Sequence, residues 1–470
     1  MEHTIRLLDE KIDTLRQELA ALTIRLVNIK SVQGEPAPDA PFGIGPKQVL
    51  DEVLSLGQAA GFYCKDYHTG VISLALEDAQ PDLGIWLHGD VVPEGDGWEF
   101  DPYNAVEYKG CIIGRGATDN KGQLAAIFLL LKLFKELEIP LSYNPALYVG
   151  SNEENGKQDL VGMPGNPDAP GFCNIATPPA LSLVPDSGFP VGYGGKGSVR
   201  IFLRSKTPLT GCRFLAGQPA APGLATAVLQ GTLLPEALPD CEISGNAITA
   251  RTAPRHASSP DPNGNMITLL AKGMLAWEQT PDCDRPIWEF LRDVSLDVEG
   301  KLLGIAATAP DMKPLTVFTG RVDDVEGSPE VVLNVRYPDS ITRAEILERV
   351  QAVAEQRGFY MARSQAGSDA YRMPKDTPIV HALCQAVADV DGEVKAPYTI
   401  SGGTYAHELP NAYVFGTNGN LPPADFPKGR GGAHGIDECV SLDRLQRAMR
   451  IYARALLRLN DCIPFVSPKS

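Results

Sequence analysis

Long hydrophobic runs are missing from this sequence. No apolar stretch in its 470 residues reaches the ~18 that a helical membrane span requires, so no membrane association is expected. Cysteines are scattered: Cys64, Cys111, Cys173, Cys212, Cys241, Cys283, Cys384, Cys439 and Cys462 form no Cys-x-x-Cys pair and are odd in number. That argues against a disulfide framework and against a thiolate zinc site, and it fits a reducing cytoplasm. The opening MEHTIRLLDEKIDTLRQEL is acidic and amphipathic. It lacks the apolar core and small-residue cleavage site of a secretory leader, so a cytoplasmic location is expected. Excess positive charge is absent too: 42 Lys and Arg stand against 58 Asp and Glu, a formal net charge of −16 with no basic cluster to offset it. A polyanion would be repelled, so no nucleic-acid partner is expected. There is no repeat of fixed period and no low-complexity segment.

The chain is too long for one ordinary core, which predicts two or three domains. Ile5, Leu8, Ile12, Leu15, Leu19, Leu22 and Leu26 recur at three- and four-residue spacing and predict one helix over 4–28 with a single buried stripe. From about 47 to 190, helical segments alternate with extended ones. Residues 47–61 and QLAAIFLLLKLFKEL read as helices, while VISLAL, LGIWLHGD, ALYVGSN and ALSLVPD read as strands. Such alternation predicts an α/β sheet covered on both faces, with its active site where strands end in loops. Near 190, FPVGYGGKGSVRIFLRS runs through glycines into a β-branched strand and reads as a hinge. Short strands, helices and Pro/Gly-rich loops follow to about 377, an α+β insert, before the α/β texture returns through DTPIVHALCQAVADV to RLQRAMRIYARALLRL. The expected organisation is a discontinuous catalytic domain, 1–193 and 378–470, interrupted by a second domain at 194–377.

Histidine is scarce, and two of the seven lie in segments with the texture of a site. In WLHGDVVPEGDGW, strand alternation would put His88 and Asp90 on one side, a metal ligand with a carboxylate to fix its tautomer. In GRGATDNKGQL, Asp119 sits in a glycine-flanked turn before a long apolar helix, where it could either aim inward or simply cap the helix. In ALYVGSNEENG, Glu153 and Glu154 follow an apolar strand. Neighbours on an extended segment face opposite ways, so one could bind metal and the other stand beside a bound water. Asp186 in LVPDSGFP closes another strand, and His434 lies in GGAHGIDE late in the chain. Each element alone has a structural explanation; together they do not.

In HGDVVPEGDGW, the GRGATDNKG turn, the EE pair, PDSGFP and AHGIDE, in that order over residues 86–438, the chain resembles the two-zinc metallopeptidases that include carnosinases, aminoacylases and the bacterial dipeptidase V type. The resemblance implies a zinc-exopeptidase-like catalytic domain, a mixed sheet flanked by helices, carrying an inserted ferredoxin-like lid. It implies two divalent ions, zinc expected and manganese or cobalt compatible with the same ligands. Asp119 would bridge them, His88 and Asp186 would complete one site, and Glu154 and His434 the other. Asp90 would support His88, and Glu153 would be the unligated general base. In the insert, RHASSPDPNGNM resembles the lid motif whose histidine contacts the oxyanion, here His256. LNVRYP places Arg336 where the family holds the substrate carboxylate, and SGGTYA places Gly402 and Gly403 in the substrate-side loop. One departure stands out: GLATAVLQG at 223–231 lacks the asparagine of the family's lid segment.

The expected activity is therefore hydrolysis of dipeptides by a monomer, with N-acyl amino acid hydrolysis as the alternative reaction; family analogy links so long a lid to dipeptides and to monomers. A non-catalytic relative that only binds a small molecule would have no use for Glu153. GYGGKG formally matches a dinucleotide-binding glycine pattern, but a strand follows it and not a helix, so that reading fails.

Overall fold

In the computed structural model, residues 1–215, 223–231, 233–252, 260–261, 263–417, 422–427 and 429–465 are described. Every residue of the strands Leu83–His88 and Pro145–Gly150 is buried, as expected of strands covered on both faces. They run parallel to each other, and Leu83–His88 is also parallel to Leu181–Val184. The sheet order is Tyr63–Asp66, Val71–Ala75, Pro145–Gly150, Leu83–His88, Leu181–Val184, Ala412–Val414, and then Gly192 of the next strand. The first two strands form an antiparallel hairpin, so the sheet is mixed. Gly122–Glu136 is apolar and buried over most of its length, with Lys132, Lys135 and Glu136 left outside near its end, close to the pattern of a helix enclosed in protein. The last helix, Leu442–Leu459, is buried over most of its length, and two of its arginines are ion-paired, the buried Arg454 with Asp9 at 2.6 Å and Arg458 with Asp389 at 2.6 Å. Among the described residues no helix is long and apolar enough to cross a membrane.

The single N-terminal helix expected over 4–28 is two, Glu2–Thr14 and Arg16–Val27, parted at Leu15. The apolar spacing runs through the break because Leu15 keeps right-handed helical angles, φ −79° and ψ −3°. The helix expected at 47–61 spans Ile44–Ala59.

By its internal contacts the chain forms two units: Met1–Gly194 with Met373–Tyr398 and Thr404–Ser470, and Gly195–Arg372 with Thr399–Gly403. The short piece Thr399–Gly403, expected in the catalytic domain, groups with the second unit, where Lys196 donates its amide to the Ile400 carbonyl at 3.1 Å. In that unit one antiparallel sheet has the order Thr316–Val325, Ser328–Tyr337, Gly197–Ser205, Phe359–Ala366. A second, Cys212–Phe214, Leu224–Leu229, Ala247–Arg251 and Cys241–Ser244, is also antiparallel. Met266–Ala276, Arg285–Leu296 and Arg343–Gln356 are its helices. The segment 223–231, which lacks the expected asparagine, contributes a strand to the second sheet.

Candidate metal centre

Seven of the predicted site residues converge in the first unit, at the ends of its strands and in the loops beyond them. His88 ends the central strand and is buried. Two residues earlier, Trp86 stacks on Tyr148 of the neighbouring strand at 4.1 Å between ring centroids, a rigid floor beneath it. Nε2 of His88 lies 3.0 Å from Oδ1 of Asp119, and the other Asp119 oxygen lies 3.1 Å from Nε2 of His434. That same His434 nitrogen is 2.9 Å from Oε1 of Glu154. Two donor groups result, His88–Asp119–Asp186 and Asp119–Glu154–His434, with the ligand atoms of each within 4.8 Å of one another. Asp119 belongs to both.

The electrostatics of this set fit divalent cations. Burial, and then the Asp119 charge, push the Glu154 carboxyl up to about 7. Burial followed by repulsion from Asp119 and Glu153 raises Asp186 well above the ordinary carboxyl range. Hydrogen bonds to Asp119 and Glu154 raise His434 to about 11. Burial opposes the ionised form of Asp119, but its bonds from His434 and His88 outweigh this and hold it low. Three crowded carboxylates need positive charge nearby, and cations would compete with protons for the two imidazoles. Two imidazoles and three carboxylates without a thiolate suit zinc, manganese or cobalt.

Asp119 is held by residues from far along the chain. It lies in the turn Ala117–Lys121, with φ −139° and ψ 84°, and its bond to Asn120 is cis. Gly116 enters that turn at φ +86°, where a Cβ would meet Val91 Cγ1 at 2.5 Å, so only glycine fits. Amides of Gly116, Thr118 and Asp119 donate to the Glu438 carboxylate at 3.0, 2.9 and 3.0 Å. Glu438 is paired at 2.6 Å with Arg115, which is equally buried and whose Nη2 also donates to the carbonyl of Glu94 at 3.1 Å. The side chain of Lys121, not Asp119, turns back to the Ile29 carbonyl at 2.7 Å, and no side chain caps the helix that follows. The capping explanation of Asp119 therefore fails.

Asp90 stands beside His88, as expected, and holds a second group as well. Its carboxylate is 3.5 Å from Nδ1 of His88, and its carbonyl is 3.0 Å from the same nitrogen. The carboxylate oxygens also accept the amides of Glu153 and Glu154, each at 3.1 Å. One residue thus faces His88 with its carbonyl and carboxylate and orients the two glutamates through the same carboxylate. Asp159 anchors the same loop upstream, accepting the amides of Ser151 and Asn152 at 2.8 and 3.1 Å and the Tyr405 hydroxyl at 2.5 Å. Glu153 belongs to neither donor group; its Oε1 lies 3.2 Å from Nζ of Lys157, and both side chains are nearly buried. Burial works against the Lys157 ammonium, but Glu153 and the more distant Glu408 and Asp186 overcome it and raise its pKa. The Asn120 amide nitrogen, 3.2 Å from Asp186 Oδ1, ties the third carboxylate to the Asp119 turn.

Arg336, Gly402 and Gly403 lie in the second unit, and His256 lies outside the described residues. Arg115, Lys157, Asp159 and Glu438 were given no role by the sequence reading. Arg115 and Glu438 at least lie inside the GRGATDNKG and AHGIDE segments, whereas Lys157 and Asp159 lie in neither.

Known proteins share this chain's length and fold. A Bacillus subtilis protein provisionally named as a dipeptidase, YtjP, is 26% identical over 98% of this chain and 100% of its own length. A Staphylococcus epidermidis protein with a similarly provisional dipeptidase name is 25% identical over 92% of this chain and 95% of its own. Human carnosine dipeptidase 1 superposes with a TM-score of 0.58 at 16% identity, covering 97% of this chain and all of that one. The yeast (Saccharomyces cerevisiae) di-peptidase Dug1p gives 0.59 at 13% identity, covering all of both chains. At those identities the two structures bear on fold alone. The signature of peptidase family M20/M25/M40 matches residues 85–458, the span that holds every residue of the centre, and the chain belongs to that family.

Proposed function

We propose that the chain is a dinuclear metallo-dipeptidase. The observation that carries this reading is the sharing of Asp119 between two ligand groups with Glu153 left outside both. His88 and Asp186 would hold one ion, Glu154 and His434 the other, with Asp119 between them. Two divalent cations there would polarise the scissile carbonyl and acidify a water, with one net positive charge left to favour the oxyanion.

Glu153, held beside the ligands by Asp90 and Lys157, takes the proton of the attacking water and returns it to the departing amine. His256 is assigned to the oxyanion, and Arg336 to the substrate carboxylate, which its planar fork meets in two hydrogen bonds. Gly402 and Gly403 let backbone approach the peptide closely. The second unit serves as the lid in this reading. Its first sheet supports a ferredoxin-like assignment, since in chain order its strands lie second, third, first, fourth, with helices after the first and third. A cytoplasmic monomer loaded with zinc is the expected form.

Elemental analysis together with a panel of dipeptides and N-acetyl amino acids tests the proposal. Two ions per chain and turnover of the dipeptides are expected, and Asp119→Ala should lose metal from both sites at once. Turnover confined to N-acetyl amino acids would move the assignment to an aminoacylase, and full metal occupancy in Asp119→Ala would remove the bridge.

A further inference from the structure

The loop that carries Glu153 and Glu154 is held by its backbone. Its successive amides from Ser151 to Glu154 all donate to carboxylates, the first two to Asp159 at 2.8 and 3.1 Å and the last two to Asp90 at 3.1 Å each. Both carboxylates are fully buried. Asp159 stands at the far end of the same loop, which closes on itself. The Lys157 amide donates to the Asn152 carbonyl at 2.8 Å, and the Gln158 amide to the Asn152 side chain at 3.0 Å.

One tie reaches Asp159 from a distant part of the chain. The Tyr405 hydroxyl, 246 residues on, donates to Asp159 Oδ2 at 2.5 Å. Tyr405 belongs to the first unit and is buried, although the SGGTYA segment was expected to face the substrate. Its ring stands edge-on to Trp86 and His88, with centroids 6.4 and 6.5 Å apart. Burial and the Asp159 charge raise its pKa, so the hydroxyl remains a donor. The strand that leads into the loop is shaped around this contact. A Cβ on its last residue, Gly150, would run into the Tyr405 hydroxyl and Asp159 Oδ2.

All three hydrogen bonds of Asp159 converge on Oδ2, while Oδ1 is buried without a partner among the described residues. Burial pushes the carboxyl up to about 7, and among the influences that favour its ionised form the Tyr405 bond comes first, ahead of the two amides. A buried carboxylate left half unpaired is destabilising. What it supplies is a fixed backbone immediately before Glu153, and a small displacement of a reacting group is enough to lower a rate strongly.

We propose that Asp159 and Tyr405 are positioning residues for the base. The tyrosine hydroxyl fixes the Asp159 carboxylate, and the carboxylate fixes the two amides that precede Glu153, so that Glu153 is aimed before the substrate arrives. The inference rests on the reading of Glu153 as general base and adds to it the groups that aim it.

A double-mutant cycle on the metal-loaded, full-length protein, with Ala-Leu as substrate, tests this. Tyr405→Phe removes only the hydroxyl and should lower kcat about tenfold, the scale of a hydrogen bond to a charged group, with KM and both ions retained by elemental analysis. In a Glu153→Gln background the same substitution should cost less than about twofold, because a base already removed cannot be misplaced. Asp159→Asn should give both results, and it is read in place of Tyr405→Phe if that variant does not fold. Tyr143→Phe, which removes an equally buried hydroxyl bonded to the Leu456 carbonyl at 2.8 Å, should leave kcat unchanged. An undiminished kcat in folded Tyr405→Phe, equal losses in the two backgrounds, or a loss matched by missing metal overturns the inference and leaves dipeptide hydrolysis intact. Normal turnover in Glu153→Gln alone removes the base itself, and this inference with it.

Discussion

Charged groups in the two units are balanced in opposite ways. Around the metal centre nearly every buried charge meets a partner from the protein: Arg115 meets Glu438, Lys157 meets Glu153, and Asp90 takes two amides. At one end of the second unit's sheet, Arg336 and Arg200 meet no carboxylate among the described residues. In the proposed reading the difference separates two tasks. A reacting centre must be set before the substrate arrives, because its geometry decides the rate. A recognition surface gains affinity by leaving unsatisfied what the ligand will satisfy.

Breaking the prepared side at its chemical end should have the largest effect. Glu153→Gln should keep both ions by elemental analysis while kcat falls ~10²–10⁴-fold, the scale of lost general base catalysis; near-normal turnover removes Glu153 from that role. On the unsatisfied side, Arg336→Ala should lower kcat/KM for a free dipeptide by ~2–5 kcal/mol and leave the dipeptide amide almost untouched. Equal losses on both would dismiss the carboxylate contact.

Glu438→Gln tests whether the prepared centre depends on its supports. It leaves Arg115 buried without a counter-charge, a loss of about 3–5 kcal/mol, so calorimetry should show the metal-bearing unit melting several degrees lower, with weaker metal retention. An unshifted transition would make the pair incidental. The smallest effect is expected from Lys157→Met, about tenfold in kcat with KM and metal content kept, and Lys157→Arg restoring most of it. If the Met and Arg variants are equally impaired, Lys157 acts by packing and not by charge.

Much of the centre was legible because its ligands sit at strand ends, each beside a glycine turn or an apolar run: His88 after WL, Glu154 after LYVGSN, Asp186 after LSLVP. What holds those ligands was not legible. Arg115 and Glu438 are 323 residues apart and have no local pattern to link them. The Asp90 side chain does stand beside His88, but its hold on the amides of Glu153 and Glu154, 63 and 64 residues on, had no local pattern. Lys157 stands four residues from Glu153 outside any helix, at φ +58°, where no periodic rule brings the two together. The break at Leu15 was hidden for a related reason, since the helical angles there leave the apolar spacing undisturbed.

The first unit is built from three stretches of chain, with Gly195–Arg372 made between the first and second. This has a consequence for the nascent protein. Chains emerge from the ribosome N-terminus first at ~5–20 residues per second, so His88, Asp119, Glu154 and Asp186 appear long before His434. Until residues 412–459 follow, the sheet lacks Ala412–Val414 and the helix Leu442–Leu459. The Asp119 turn likewise has no Glu438 to receive its amides. The inserted unit, continuous apart from five residues, has nearly its whole sequence available earlier. Synthesis therefore supplies nearly all of the inserted unit's sequence before the metal-bearing unit has its last ligand, His434.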